Sequence, residues 1–177
     1  MAGHEYSEPA VWYKDTNDYW WIGVCNNCEE PVLVHGKAWT IYPTPQPPPS
    51  DARIPEKVRK DLVEAKITFS VQAFRACAVM ARRAIQSACI DKGATKTDLI
   101  GQIEELTSQG IITKDTRNWA TAVRWVGNDA AHPNSAKVTR EDAENILRLG
   151  EQFLQAIYVA PEIANDLAFK KSKTLKK

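Results

Sequence analysis

The segment Pro43-Thr-Pro-Gln-Pro-Pro-Pro-Ser50 divides this chain into two parts that cannot share a secondary-structure element. Each proline fixes φ and removes a backbone donor, so the run neither continues a helix nor joins a central strand. It favours polyproline II and acts as a semi-rigid spacer, assigned here to residues 43–53. Before it, residues 1–42 hold short aromatic and β-branched runs: Tyr19-Trp-Trp-Ile-Gly, Pro31-Val-Leu-Val-His and Trp39-Thr-Ile-Tyr42. These are bounded by Gly, Asn and Pro and read as two to four short strands. After it, residues 54–162 carry helical periodicity throughout, followed by a tail from 163 to 177. The expected fold is mainly α: an antiparallel bundle of about five helices behind a small β-rich segment. No strands alternate with the helices, which excludes a Rossmann-type or barrel fold.

The helical stretches have readable ends. Pro55 suits a first turn, and Val58, Leu62, Ala65 and Phe69 make one apolar seam. Phe74, Cys77, Ala78, Ala81, Ile85 and Ala88 form a second helix that Gly93 ends. Thr97 starts a third, with Leu99, Ile103 and Leu106, stopped near Gly110. A fourth runs from about Asp115 to Ala131 and is closed by Pro133. Thr139-Arg-Glu-Asp142 has the form of a capping sequence and opens a fifth, bearing Ala143, Ile146, Leu147, Phe153, Leu154 and Ile157. Pro161 ends that helix or begins another turn.

Charge narrows the partners. The 177 residues carry a net charge of +1. Five of the last eight residues are lysines: 170, 171, 173, 176 and 177. Without them 18 basic residues face 22 acidic ones, so the body is mildly acidic. That argues against a zinc-dependent binder of duplex DNA; the basic tail could touch nucleic acid or an acidic partner, but reads more simply as a frayed, solvated terminus. No run is apolar enough for a membrane span and no signal region opens the chain. The expected location is cytoplasmic, with no membrane partner.

Two constellations carry chemistry. In the fourth helix, 3.6 residues per turn place Trp119, Ala122, Val123, Val126 and Ala130 on one stripe, expected to be buried. Arg117, Thr121, Arg124, Asn128 and His132 fall on the opposite side. His132, neutral near pH 7, could take a proton from a ribose hydroxyl. Arg124 could stabilise phosphate charge, and Asn128 could orient the imidazole or hold a phosphate oxygen. The alternative is a solvated face whose histidine merely ends the helix. Arg82-Arg83 is a local basic pair that could meet a phosphate, although a solvated pair or a bridge to Glu64 is the simpler reading.

The second constellation is Cys25-Asn-Asn-Cys28, the spacing of half a structural zinc site. His35 and His4 are the only histidines nearby, so a Cys2His2 set is irregular, and a metal-free remnant stands beside the zinc reading. Cys77 and Cys89 fit small buried residues. Trp12, Trp20, Trp21 and Trp39 are either the core of this segment or a contact patch. A glycine-rich phosphate loop and an HExxH motif are both absent.

Several motifs occur in a fixed order. They are Ile41-Tyr-Pro43, Ile54-Pro55, Glu64-Ala65, Met80-Ala-Arg-Arg-Ala84, Asp91-Lys-Gly93, Gly110-Ile-Ile112, Val126-Gly-Asn-Asp-Ala-Ala-His-Pro133 and Thr139-Arg-Glu-Asp-Ala143. With the leading CxxC, over residues 20 to 160, this set resembles the family called domain of unknown function 4145. That family looks like a member of the HEPN superfamily of small helical bundles. The resemblance implies a homodimer packed around the helix with the polar row. It also implies a bacterial setting, often beside restriction or phage-defence genes, with RNA or a defence partner as ligand. Many HEPN proteins are metal-independent RNases whose catalytic Arg and His have four to six residues between them. Asn128 and His132 match the family motif. The usual arginine places hold Gly127, Val126 and Trp125, and Arg124 stands one position earlier, about 80° round from His132 and two turns away. The expected function is therefore a non-catalytic or weakly catalytic HEPN-like dimer. The alternative is an endoribonuclease using His132 and Arg124.

Overall fold

A computed structural model of the chain describes residues 20–25, 29–36, 40–42, 50–132 and 137–174. The backbone divides into two compact units between Gln46 and Pro47, inside the proline-rich segment.

The first unit holds an antiparallel sheet in the order β1-β2-β3: β1 (Trp20–Val24), β2 (Pro31–His35) and β3 (Thr40–Tyr42). The register pairs Trp20 with His35, Val24 with Pro31, and Leu33 with Tyr42. Alternation then separates two faces. Val32 and Val34 are buried with Cys25, packed by Trp21 and Ile41. Trp20, Ile22, Val24, Leu33 and Tyr42 form an exposed apolar face. The β1–β2 turn is closed by Glu29 N–H donating to the Cys25 carbonyl at 2.8 Å, with Glu29 held at φ 59°. That left-handed backbone is uncommon for glutamate.

The second unit contains α1 (Glu56–Ser70), α2 (Phe74–Asp91), α3 (Leu99–Ser108), α4 (Lys114–Ala131), α5 (Arg140–Leu154) and α6 (Ala160–Thr174). A π-helical turn, Gln155–Val159, joins the last two. The third helix begins one residue later than Thr97 suggests, because the Asp98 carboxylate accepts from Gly101 N–H and caps it. Gly93 and Gly110 lie at φ 94° and 72°, left-handed positions that end α2 and α3 where expected.

The α2 helix is central and packs against α1, α3, α4 and α5. Its buried positions are small (Cys77, Ala78, Ala81, Ala84, Ala88, Cys89, with Ile85), so neighbouring backbones approach closely. Larger side chains arrive from the surrounding helices: Val58 and Leu62, Leu99 and Ile103, Val123, and Phe153 and Leu154. Burial pushes the Cys77 thiol up to about 11 and that of Cys89 up to about 12, so both stay protonated and inert near neutrality.

The π-helical turn follows from Pro161, which has no N–H and whose ring would strike the carbonyl four residues back. Widening the turn buries Ile157, Tyr158 and Val159 in succession. The Tyr158 hydroxyl donates to Asp91 Oδ2 at 2.7 Å, tying this turn to the end of α2, and Lys92 sits 4.1 Å above its ring. Burial, then the Asp91 carboxylate, pushes the Tyr158 phenol well above its ordinary range. At Pro161 the chain takes the second of the two courses open to it and begins another turn. It continues as α6 to Thr174, with every described side chain from Ala160 to Lys173 exposed. Among the described residues no helix is long and apolar enough to cross a membrane.

The start of α5 carries the expected capping box. Asp142 N–H donates to the Thr139 hydroxyl oxygen, and Thr139 N–H donates to the Asp142 carboxylate at 2.9 Å. The Thr139 hydroxyl, then its backbone N–H, holds the Asp142 carboxyl below its ordinary 3.8. The folded value is the depressed one. Its contribution is present above pH 3.8 and lost as pH falls through the lower folded value. Thr139→Ala is expected to cost about 1 kcal/mol at neutral pH. In urea titrations the gap from wild type should shrink once Asp142 is protonated; a gap independent of pH would remove the carboxylate from the account.

Candidate functional site

Local chemistry explains where α4 begins and ends. The Thr113 hydroxyl accepts from Thr116 N–H at 3.2 Å, and Asp115 in the first turn favours the helix dipole. At the other end Pro133 disfavours helical backbone in the residue before it. His132 accordingly sits at φ −90°, ψ 133°, its N–H donating to the Asp129 carbonyl at 3.2 Å. Backbone rather than imidazole therefore satisfies the helix end, and the ring is left exposed.

The buried stripe of α4 is Thr116, Ala120, Val123, Gly127 and Ala130, which corrects the expected stripe. Only Val123 and Ala130 are shared; Trp119, Ala122 and Val126 are half-buried on one flank. The reason is the close approach of α2. A Cβ added at Gly127 would lie 2.5 Å from Arg82 Cβ and 3.0 Å from the Ala78 carbonyl oxygen. Small residues win that face because nothing larger fits, whatever its hydropathy. Trp125, displaced from both flanks, is 59% exposed.

This rotation brings the polar row from the far side of α4 to the flank that meets α2. Thr121 donates to the Arg117 carbonyl at 2.8 Å, and Arg117 lies 3.7 Å from Glu104 on α3. Asn128 is half-buried, and its Oδ1 accepts from Arg82 Nε at 2.6 Å. Arg124 is also half-buried, and its Nε is enclosed without a hydrogen-bond partner. His132 stands exposed at the end of the same flank, about 12 Å along the axis from Arg124. Among the described residues no carboxylate lies within ion-pair distance of Arg82 or Arg124. The structure thus joins Asn128 to an arginine the sequence reading had not selected, and it leaves Arg124 and His132 apart within one chain.

The basic pair on α2 is divided between two neighbours. Arg83 Nε donates to Asp61 Oδ1 at 2.9 Å, and the Ser87 hydroxyl donates to Oδ2 at 2.6 Å, so the partner is Asp61 and not Glu64. Arg82, one residue earlier, turns to α4 instead. The signal for Asp61 was present: it lies between Val58 and Leu62 on the buried face of α1, where an unpaired carboxylate would be costly. Beside the last turn of α4 a groove of about 740 Å³ opens. Phe74, Val79, Met80, Ala130 and Val138 line it, with Arg75 and Lys137 as its basic residues.

Cys25 and His35, two of the candidate zinc ligands, are not brought together. Cys25 follows the end of β1 that pairs with Pro31, whereas His35 pairs with Trp20 at the opposite end of the hairpin. Four residues of strand, about 13 Å, separate those ends, and the His35 ring lies 4.6 Å from that of Trp20. Sulfur and imidazole on one tetrahedral ion need separations several-fold smaller. Cys28, His4, Trp12 and Trp39 lie outside the described residues. An ion at Cys25 and Cys28 would therefore need ligands other than His35. Among the described residues no three His, Cys, Asp or Glu side chains converge on a common point.

No curated protein and no solved structure gives a significant match to the chain. A family model described as Domain of unknown function (DUF4145) does match, over residues 63–176. That span runs from within α1 to the end of α6 and includes Arg82, Asn128 and the α2–α4 contact at Gly127. It covers more than half of the sequence, and the chain therefore belongs to the DUF4145 family.

Proposed function

We propose that this protein is a HEPN-like dimeric module of a bacterial defence or toxin-like system. It holds RNA by its phosphates along the α2–α4 flank and cleaves weakly or not at all. The observation that carries this reading is the pair of half-buried guanidiniums, Arg82 and Arg124, without a carboxylate partner among the described residues. A desolvated cation without an acid is favoured by an arriving anion, and the planar guanidinium fork suits phosphate oxygens. Asn128 lies beside them with its amide N–H groups available for a phosphate oxygen, because its carbonyl is taken by Arg82. The apolar groove next to Ala130 offers room for an unpaired base near Arg75 and Lys137.

Binding is favoured over cleavage by the separation of Arg124 from His132. A general base and the group that stabilises the phosphate must reach the same phosphodiester, and one helix face two turns long does not bring them there. The second reading, a metal-independent endoribonuclease, draws on the exposed imidazole of His132 at the end of that flank. It would use Arg124 supplied by the other copy of a dimer.

The test is titration of fluorescent single-stranded RNA with intact protein in EDTA, reading binding and cleavage from the same samples. Binding should weaken steeply with salt. Arg82→Gln and Arg124→Gln should each raise Kd about tenfold, the loss of a charged hydrogen bond. The RNA should stay intact. Affinity unchanged in both variants would overturn the phosphate site. Cleavage in EDTA that vanishes in His132→Ala would move the assignment to the nuclease. Zinc analysis of the untagged protein decides separately whether Cys25 and Cys28 hold a structural ion.

A further inference from the structure

The groove of about 740 Å³ beside the last turn of α4 crosses the first two turns of α2. Ala76, Val79 and Met80 give it an apolar floor, and Arg75 and Lys137 are its cations. Arg75 stands two turns before Arg82, which puts both on one stripe of α2, about 10.5 Å apart. A strand whose phosphates reach Arg82 can therefore continue to Arg75 and lay a base on the floor. One wall does not suit phosphate. Glu64, exposed on α1, lines the groove, and among the described residues no cation lies within ion-pair distance of it. Thr68, one turn further along α1, lines it too. The Thr68 hydroxyl points its proton back at the Glu64 and Ala65 carbonyls, both at 2.9 Å. Its oxygen is left with lone pairs alone to offer a ligand. The α1 wall is thus a wall of acceptors, a carboxylate and a hydroxyl oxygen.

A carboxylate repels phosphate, so in a groove that takes RNA it must meet the base. It only accepts, and it is best satisfied by two parallel N–H groups. Among the four common bases, guanine alone carries two donors side by side on its Watson–Crick edge, N1–H and the N2 amine. Uracil has one donor between two acceptors. Adenine and cytosine set an acceptor beside their amine, which would meet the carboxylate lone pair to lone pair. The Gln72 amide also lines the groove and can donate to guanine O6. A helix from a partner protein would cover the floor as well. It would have to bring acids for Arg75 and Lys137 and donors for Glu64, whereas one guanosine nucleotide supplies both, phosphate outside and donor edge inside.

We propose that this groove is a guanine pocket that gives the α2–α4 flank its sequence preference, with Glu64 accepting from N1–H and the N2 amine of an unpaired guanine. The proposal rests on the RNA reading above and names the base that reading leaves open. Among the described residues, Ala130 is the one α4 residue that lines the groove, so the pocket does not compete with a second copy for Asn128 or His132.

Competition binding to the full-length protein in EDTA tests it, with uridine octamers that carry one central guanosine, inosine, adenosine or uridine. The guanosine strand should bind about tenfold tighter than the uridine strand, the worth of one bidentate contact to a base edge. Inosine lacks the N2 amine, and adenosine has the size of guanosine without its paired donors; each should lose most of that gain. Glu64→Ala should close the gap between guanosine and uridine, and Ala76→Trp, which fills the floor, should close it too. Both residues are exposed, so the thermal midpoint should hold in both variants. Arg82→Gln should weaken all four strands alike and leave the gap open. A guanosine strand no tighter than uridine, with Arg82→Gln still weakening both, would overturn the pocket, keep the phosphate flank and leave the groove to an apolar segment of a partner protein. Adenosine equal to guanosine would reduce the groove to stacking and overturn the role of Glu64. A gap that survives Glu64→Ala and Ala76→Trp would place the guanine elsewhere. No strand bound at all would overturn the flank and the pocket together.

Discussion

Gly127→Val is expected to destabilise the protein by about 3 kcal/mol, at the upper end of the usual cost of overpacking. The new Cβ would fall 2.5 Å from Arg82 Cβ, 2.9 Å from Arg82 Cδ and 3.0 Å from the Ala78 carbonyl oxygen. Neither a Cβ next to the main chain nor a backbone carbonyl can swing aside, so α2 and α4 must separate. The propensity gained by removing a helical glycine, a few tenths of a kcal/mol for valine, does not offset this. Gly127→Ala should lose less, because alanine adds one atom and recovers about 1 kcal/mol of propensity. The functional consequence is as direct as the structural one. Arg82 is the residue displaced, and its 2.6 Å bond to Asn128 should break, weakening RNA binding as Arg82→Gln does. Urea titration measures the first effect and RNA titration the second. A Gly127→Val protein as stable as wild type would mean that the helices do not approach as described.

Phe153→Ala should cost about 3–5 kcal/mol, the largest effect expected of a single truncation among the described residues. Phe153 is fully buried on α5, within the core that α5 shares with α1, α2 and α4. Small domains hold only about 5–15 kcal/mol in all. The variant should therefore sit near its unfolding transition at room temperature. Phe153→Leu, which keeps most of the volume, should lose less than about 1.5 kcal/mol. The denaturation midpoint should fall in both without a change in slope. A loss under 1 kcal/mol in Phe153→Ala would show that the site collapses freely and that the core is loosely filled.

Features that rest on contacts within a few residues were legible before any coordinates. Thr139 and Asp142 cap α5 as their spacing implies, and Gly93 and Gly110 take the left-handed backbone that ends α2 and α3. Pro133 closes α4 by acting on His132, its immediate neighbour. Three strands form from the aromatic and β-branched runs, within the two to four those runs suggest. Pro161 was recognised as an interruption, yet its outcome was not, because a π-helical turn and a clean stop begin with the same missing N–H. The choice was made by the pocket that receives Tyr158 and by Asp91, 67 residues away in sequence.

The candidate site was half legible. Arg124, Asn128 and His132 were selected by their spacing, and the structure places the first two within α4 and His132 at its C-cap. The face on which they lie was misjudged, because hydropathy ranks tryptophan and valine above glycine and alanine as core residues. At a helix crossing, distance decides instead, and Gly127 takes the inner position that hydropathy would assign to Val126. Arg82 was weighed only together with Arg83, as a pair that could meet a phosphate but more simply stays solvated or bridges to Glu64, since nothing local separates the two. Their different fates, Asn128 for one and Asp61 for the other, depend on partners 46 and 22 residues distant.

The amino-acid order alone determined where α2, α3 and α4 end, where α5 begins, and which side chains of a helix share a face. Caps, prolines and glycines act over one to four residues, and helical period does the rest. Only the tertiary structure decided which face of α4 turns inward, which arginine meets Asn128, that His35 is carried away from Cys25, and that α6 stands clear of the bundle. Each of these depends on how closely two backbones approach, and that distance is set by the packing of the whole unit.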